Sequence, residues 1–241
     1  MHPGSFRLIF GLLALATTAL AQPAFRANAV YKPTFLTGYT SLTAGTGYIA
    51  KISDRVVFLT AFHLFGPAAG LEKDLTPAEA KDFASALAAS SMTDPSHVVV
   101  SSEMLLIPSA KAFSDQDASH DVAAFLLESY NGTPLVIAAA MPAVGDRVYL
   151  FARPRGEDQL RFLAATVRQA TPRMVKYVFD EAGANLAGTS GAPVLNEMGE
   201  VVAMNLGGGT AGDREYGFGS PAATFSKIVS DAMAADSAKQ P

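Results

Sequence analysis

The chain has 241 residues, a formal net charge of −4 at pH 7 and an apolar share of 49%. That length and apolar share are enough for one large or two small domains, each with its own hydrophobic core. The absence of cysteine excludes a disulfide framework, a thiolate zinc site and a cysteine nucleophile. Lys and Arg form no run, so the charge pattern indicates neither nucleic acid nor an anionic membrane surface as a partner.

The first 21 residues are typical of an export signal. Arg7 provides a positive start, residues 8–20 are mostly apolar, and residues 19–21 form a small-x-small cleavage site before Gln22. An uncleaved membrane anchor is the alternative, but the apolar run is short for a bilayer. We therefore predict cleavage after Ala21 and export to the periplasm or the medium, with no membrane contact of the mature chain.

The first half of the mature chain contains short apolar runs separated by turn residues. This pattern predicts strands at 36–39, 47–51, 56–59, 98–100, 104–107 and 122–127, which suits a small antiparallel barrel. Residues 47–63 form a predicted β-hairpin whose second strand ends at His63. The strand at 122–127 follows directly after Asp121.

An alanine-rich stretch at 75–90 interrupts these strands. Thr76, Pro77 and Glu79 suit an N-cap, an N1 proline and a capping-box acid, so we predict an inserted surface helix. The helix is either a structural insertion or a lid or exosite near the cleft.

The second half repeats the pattern of short strands. The predicted strands are 134–138, 147–151, 160–167, 174–179, 193–195, 201–204 and 216–219. A closing helix is predicted from Ala222 to about Ala235, with Ser220 as the N-cap and Pro221 at N1.

A glycine-bounded turn precedes the strand at 193–195 and carries a serine. Gly188 leaves room for its peptide N–H to point the same way as that of Ser190, and two such donors beside a hydroxyl are what an oxyanion hole needs. The plainer interpretation is a Gly/Ser surface turn. A serine is inert without a base, so the turn has catalytic meaning only if the chain supplies one.

His63, Asp121 and Ser190 supply the three groups of a serine-hydrolase triad. Taken singly, His63 is explained by a satisfied histidine at a strand end and Asp121 by a turn cap. Together, they follow the His…Asp…Ser order of chymotrypsin-type enzymes, not that of subtilisins or α/β-hydrolases.

The segments around these residues (45–63, 120–127 and 188–205) resemble those of trypsin-like serine peptidases. The resemblance is closest to the bacterial HtrA/Deg-type branch, whose second barrel has a strand entry similar to residues 142–149. It covers residues 35–228 and implies an all-β fold of two antiparallel six-stranded β-barrels, with an inserted surface helix and a C-terminal helix. The predicted domains are 22–132 and 133–241. No PDZ module follows, so recognition of peptide tails through PDZ is not expected.

The resemblance implies an exported serine endopeptidase that acts on polypeptides without a cofactor. Ser190 is then the nucleophile, His63 the general base and acid, and Asp121 the group that fixes the tautomer of the imidazole. The N–H groups of Gly188 and Ser190 are the expected oxyanion donors.

Three positions depart from the family pattern. Thr189 stands where animal trypsins have an aspartate that pairs with a newly cut N-terminus, so that activation route is not expected. Ala192 replaces a commoner glycine after Ser190-Gly191, and Phe62 replaces the usual alanine before His63. None of these changes removes a group that the mechanism needs.

The same resemblance places a substrate pocket. Ala184 maps to its base, and a neutral base disfavours Lys or Arg as the P1 residue. One wall of the pocket maps to Leu206, Gly207 and Gly208 and would pair with the substrate backbone. The opposite wall maps to Gly217 and Gly219. The glycines indicate a roomy pocket for small to medium apolar side chains.

Two other classes of function stay open at this point. The first is a catalytically silent trypsin-fold protein that binds peptides or proteins in its cleft. The second is a β-rich structural or envelope protein with a chance serine turn, which leaves the triad order unexplained. His97 and His120 lack metal-ligand spacing, so no metal site is predicted, and the sequence does not indicate the oligomeric state.

Overall fold

The computed structural model describes residues 29–238, so the predicted signal sequence (residues 1–21) lies outside the described range. The described residues form fourteen strands and two α-helices. The strands are β1 (Val30–Leu36), β2 (Ser41–Thr43), β3 (Gly47–Ile52), β4 (Arg55–Thr60), β5 (Ala86–Ser91), β6 (Val98–Ser101), β7 (Ala123–Leu126), β8 (Leu135–Val136), β9 (Arg147–Ala152), β10 (Arg161–Thr171), β11 (Met174–Phe179), β12 (Pro193–Leu195), β13 (Val201–Ala211) and β14 (Arg214–Pro221); the helices are α1 (Pro77–Phe83) and α2 (Ala222–Ser237). Within residues 29–238, no helix is long and apolar enough to cross a membrane.

The second half of the chain closes into a six-stranded antiparallel barrel. Its strands follow the order β10-β11-β14-β13-β12-β9. Alternate residues of these strands point inward and form an apolar core that includes Val148, Leu150, Val167 and Phe179. The predicted second barrel is confirmed.

The first half forms a sheet in the order β6-β5-β1-β3-β4-β7, with β2 beside β1 and β8 beside β3. Its two end strands are joined through residues 103–105, where the Leu105 N–H donates to Ala124 and the Leu126 N–H donates to Glu103. The strand predicted at 104–107 is reduced to a bridge at Met104, because Pro108 cannot donate to a ladder. Although β8 follows the predicted domain boundary, it pairs with β3 of the first sheet, in parallel.

Aromatic side chains fill the core of the first half. Phe35 stacks on Phe125 with 5.9 Å between ring centroids, and Phe58 meets Phe125 edge-on at 6.4 Å. All three rings are fully buried. Burial of such rings is a major source of stability, so the fold can dispense with disulfides.

The inserted helix is shorter than the sequence predicts. Thr76 caps α1 through a complete capping box with Glu79, as expected, but the helix ends at Phe83. Residues 86–91 form β5 instead, which pairs with both β1 and β6. Alternate residues of β5 face the core, so strand pairing outweighs the helix propensity of this alanine-rich stretch.

The C-terminal helix begins where predicted, but its cap differs. Strand β14 continues through Pro221, which takes the N-cap position of α2 without a side-chain cap. The hydroxyl of Ser220 donates instead to the carbonyl of Ser119, at 3.2 Å. Ser220 therefore ties the end of the second barrel to the loop that precedes Asp121.

Replacing Tyr48 with phenylalanine should stabilise the protein. The ring of Tyr48 is fully buried, and within residues 29–238 its hydroxyl has no hydrogen-bond partner. A buried polar group without a partner costs about 1–3 kcal/mol, so we expect the free energy of unfolding in urea to rise by about 1 kcal/mol. The matched control is Tyr177→Phe, which removes an equally buried hydroxyl that donates to Asn205 at 2.5 Å and should destabilise the fold. Equal effects of the two substitutions would contradict this explanation.

Candidate active site

His63 lies in a short 3-10 turn (Phe62–Phe65) just beyond the end of β4. Strand β4 thereby fixes the position of this turn. The imidazole is buried, with 6% of the residue exposed. The ring of Phe113 packs edge-on against the imidazole at 5.3 Å between centroids. The imidazole is therefore held in one orientation by packing as well as by hydrogen bonds.

Asp121 lies two residues before β7 and is almost completely buried. Its Oδ2 accepts a hydrogen bond from Nδ1 of His63 at 2.7 Å, and its Oδ1 accepts one from the backbone N–H of His63 at 2.9 Å. Because the carboxylate can only accept, Nδ1 carries the proton and Nε2 is left as the basic nitrogen. The predicted pairing of His63 with Asp121 is thus present.

Phe113 is a site residue that the sequence analysis did not identify. Its backbone N–H donates to Oδ2 of Asp121 at 3.1 Å, while its ring contacts both His63 and Phe218. It lies in the irregular segment between β6 and β7, which has no periodic pattern. No sequence signal marked it, because half of its contribution comes from the backbone.

The turn that carries Ser190 is clamped between the two halves of the chain. The Thr46 N–H donates to the Ser190 carbonyl at 2.8 Å, and the Thr46 hydroxyl donates to the Gly188 carbonyl at 2.9 Å. Gly188 and Gly191 adopt φ values of 77° and 87°, a left-handed region that favours glycine. The serine thus lies in a tight turn that is fixed at both ends.

The Ser190 hydroxyl donates to the Leu206 carbonyl at 3.1 Å. Within residues 29–238, no hydrogen bond joins Ser190 to His63. Gly191 nevertheless packs beside Ala61, so the chain next to Ser190 lies against the chain two residues before His63. Catalytic hydrogen bonds are often absent from ligand-free sites, and rotation about one side-chain bond of Ser190 releases its hydroxyl from Leu206.

The peptide between Ala187 and Gly188 is oriented by a neighbouring loop. The Ala187 carbonyl accepts a hydrogen bond from the Arg155 N–H at 2.7 Å. In a planar trans peptide, the N–H points opposite to the carbonyl, so the Gly188 N–H points away from Arg155. Within residues 29–238, the N–H groups of Gly188 and Ser190 have no acceptor, which leaves both available to an incoming oxyanion.

A buried network of uncharged groups supports the residue before the serine. The Asn205 side-chain amide donates to the Thr189 carbonyl and hydroxyl, and the Thr189 hydroxyl donates to Leu186. Tyr177 donates to the amide oxygen of Asn205. Burial raises the pKa of Tyr177, which keeps this phenol protonated as a donor. The network holds the turn without the ion pair that an aspartate at position 189 would need.

Two of the glycines predicted to line the substrate pocket have other side chains where their Cβ atoms would lie. Ala184 is buried in the second core. At Gly208, the place of a Cβ lies 2.5 Å from the Leu186 side chain, and at Gly217 it lies 2.3 Å from the Tyr177 ring. These glycines therefore make room for a leucine and a tyrosine rather than for a wide pocket. A Cβ at Gly219 would lie 2.3 Å from the carbonyl oxygen of Met204, so the backbone of β13 occupies the space beside this glycine.

Within residues 29–238, the backbone edge at Gly207 and Gly208 is free for a substrate, and the Leu206 carbonyl joins it once the Ser190 hydroxyl rotates away. Strand β13 pairs with β12 only as far as Met204, then runs on beside β14 to Ala211. Its other edge beyond Asn205 borders the Ser190 turn. An extended peptide can add to this edge, as the sequence analysis predicted for the wall strand.

No metal site is present among the described residues, which contain no cluster of three or more His, Cys, Asp or Glu side chains placed to hold an ion. His97 packs against the rings of Tyr31 and Tyr130, and His120 bonds to the Ser119 hydroxyl at 2.9 Å. Both histidines thus have local structural partners.

The family model for the trypsin-like peptidase domain matches residues 45–204, a range that contains His63, Asp121 and Ser190. The chain belongs to the trypsin-like peptidase family. The resemblance to trypsin-like peptidases found in the sequence is therefore confirmed. A comparison with curated proteins finds no match.

Solved structures share the fold of this trypsin-like peptidase. The serine endoprotease from Yersinia pestis is similar with a TM-score of 0.57 and 18% identity over 86% of this chain, which spans 64% of that protein. The active form of the Rv3671c protease from M. tuberculosis is similar with a TM-score of 0.56 and 17% identity, over 95% of this chain and 92% of that one. Its inactive form gives a TM-score of 0.54 at 16% identity, over 86% of this chain and 89% of that one. These likenesses confirm the chymotrypsin-like fold.

Proposed function

We propose that this trypsin-like peptidase is a serine endopeptidase that cleaves polypeptides through His63, Asp121 and Ser190. The observation that carries the proposal is the buried hydrogen bond between His63 Nδ1 and Asp121 Oδ2. It leaves Nε2 of His63 as the basic nitrogen that could take the proton of Ser190. Two unpaired N–H groups beside the serine complete the set of groups that acyl transfer needs.

The first half-reaction forms an acyl-enzyme. Ser190 Oγ attacks the scissile carbonyl while Nε2 of His63 takes its proton, and Asp121 stabilises the resulting imidazolium. The N–H groups of Gly188 and Ser190 donate to the oxyanion of the tetrahedral intermediate. The C–N bond then breaks as His63 gives the proton to the leaving amine.

The second half-reaction regenerates the enzyme. Water attacks the ester carbon while Nε2 takes a proton from it, and the same two N–H groups bind the second oxyanion. Breaking of the C–O bond returns the proton from His63 to Ser190 and releases the acid. The chemistry needs no cofactor.

The acyl half of the substrate would add as a strand along Leu206 to Gly208. Leu186, which packs against Gly208, would lie beside its P1 side chain. With the uncharged Ala184 at the base of the pocket, we propose that small apolar P1 residues are preferred.

A catalytically silent peptide-binding protein is the second candidate. The observation that favours it is the hydrogen bond of the Ser190 hydroxyl to Leu206 rather than to His63. The open turn at Gly188 argues against it, because its donors stay available. One labelling experiment separates the two candidates.

The expected result is that a fluorophosphonate probe labels the mature protein and that Ser190→Ala abolishes the labelling. Such probes react only with a serine that a base activates, and loss of a triad nucleophile costs about 10⁶ in turnover. The matched control is Ser102→Ala, which removes an exposed hydroxyl elsewhere and should leave labelling intact. Folded wild-type protein that stays unlabelled would instead support the silent candidate.

We also propose that the peptidase acts after export. The signal-like first 21 residues support this. Fractionation of cells that express the full chain, followed by N-terminal sequencing of the exported product, should place the first residue at Gln22.

A further inference from the structure

A second cleft opens beside Gly188. It has a volume of about 470 Å³, and its lining includes Lys32, Arg153 and Arg155. Gly188 itself is part of the lining. This cleft therefore lies next to the turn that carries Ser190.

The three cations of this cleft lack anionic partners. Within residues 29–238, none of them takes part in an ion pair, and Lys32 instead donates to the Gly45 carbonyl at 2.7 Å. Burial, and to a smaller extent the charges of Arg155 and Arg153, lowers the pKa of Lys32. The three positive charges lie close together without anionic partners, although the chain as a whole has a net charge of −4. Such a cluster indicates a binding site for an anion.

Two carboxylates also line the cleft, but they do not neutralise it. Glu157 pairs with Arg161, at 3.4 Å between Oε2 and Nη1. Asp158 is exposed and forms no ion pair within the described part of the chain. One unpaired carboxylate thus faces three unpaired cations, and the positive charge is in excess.

The position of the cleft identifies the part of the substrate that reaches it. The acyl half lies along Leu206 to Gly208, on the side to which the Ser190 hydroxyl points. The Ser190 carbonyl instead accepts a hydrogen bond from Thr46, whose neighbour Gly45 binds Lys32 of the cleft. A peptide that crosses Ser190 therefore carries its leaving half toward the cations.

We infer that Lys32, Arg153 and Arg155 bind a carboxylate on the leaving-group half of the substrate. This inference rests on the proposed peptidase function and names its substrate class. The carboxylate comes either from an Asp or Glu side chain or from the C-terminus of the substrate. Arginine suits both sources, since its planar fork matches a carboxylate.

The test measures kcat/KM on two pairs of internally quenched peptides with a small P1 residue. One pair differs by Glu against Gln at the second residue after the scissile bond, and the other by a free acid against an amide at a nearby C-terminus. We expect the carboxylate member of at least one pair to be favoured about tenfold, a preference that added salt reduces. The double variant Arg153→Gln/Arg155→Gln should bring the ratio close to one. Arg168→Gln, which removes an exposed arginine of β10, should leave it unchanged.

The outcomes separate the two levels of the proposal. A preference confined to the first pair assigns the carboxylate to a side chain, and one confined to the second assigns it to the C-terminus. Cleavage with ratios near one in both pairs, or a preference that the double variant retains, overturns this inference and leaves the peptidase function standing. Absence of both cleavage and fluorophosphonate labelling overturns the two together.

Discussion

Asp121→Asn is expected to lower kcat by about 10³- to 10⁴-fold while leaving the protein folded. Three N–H groups converge on the two carboxylate oxygens: the backbone and Nδ1 of His63, and the backbone of Phe113. An asparagine has only one acceptor oxygen, so its NH₂ group must face a donor or force His63 into the other tautomer. The first arrangement leaves a buried donor without an acceptor, and the second puts the proton on Nε2 and so removes the free base. Steady-state kinetics and circular dichroism measure the two properties separately.

The matched control for this substitution is Asp54→Asn. Asp54 lies in the exposed turn between β3 and β4, where asparagine is as suitable as aspartate. We expect its kcat to equal that of the wild type. An Asp121→Asn enzyme that retains more than about a tenth of the wild-type kcat would show that the carboxylate does not set the state of His63.

Gly191→Ala is expected to lower the free energy of unfolding by at least about 3 kcal/mol and to abolish labelling of Ser190. A Cβ at this position would lie 2.1 Å from the Thr46 carbonyl and 2.6 Å from the Thr60 hydroxyl, and φ is 87°. Both neighbours belong to the first half of the chain. The methyl group would therefore push the nucleophile turn away from the half that carries His63. Urea denaturation and fluorophosphonate labelling measure the two effects.

Gly145→Ala separates backbone strain from steric clash in the same assay. Gly145 has a φ of 96°, and nothing lies within 4 Å of its would-be Cβ. We expect a cost of about 1 kcal/mol there, which is the strain of a left-handed residue alone. If both substitutions cost the same, the contacts of Gly191 with Thr46 and Thr60 do not hold the two halves together.

The sequence predicted those features of the fold that depend on local patterns. Strands β11 and β12 begin and end at the residues predicted, because both are short, largely buried apolar runs bounded by turn residues. Strand β5 was mistaken for the end of a helix. Its alanines favour a helix by propensity, and only pairing with β1, about fifty residues earlier in the chain, makes it a strand.

The sequence was enough to predict the parts of the candidate site that side chains form. His63 and Asp121 meet as the sequence indicated, and the glycines flanking Ser190 adopt the conformations that only glycine accepts readily. The roles of Phe113 and Arg155 depend on backbone N–H groups, which every non-proline residue has. No residue type marks such a role, so it emerges only from the folded chain.

The support beneath the nucleophile turn has a consequence for the conditions under which the site stays assembled. Thr189, Asn205 and Tyr177 hold one another through hydroxyl, amide and phenol groups, none of which changes its charge in mildly acidic or neutral water. Dissolved ions weaken attractions between charges but act little on buried dipoles. Mild acid and high salt should therefore leave the conformation of this turn unchanged. The pH dependence of kcat should then report the protonation of the triad rather than unfolding of the turn.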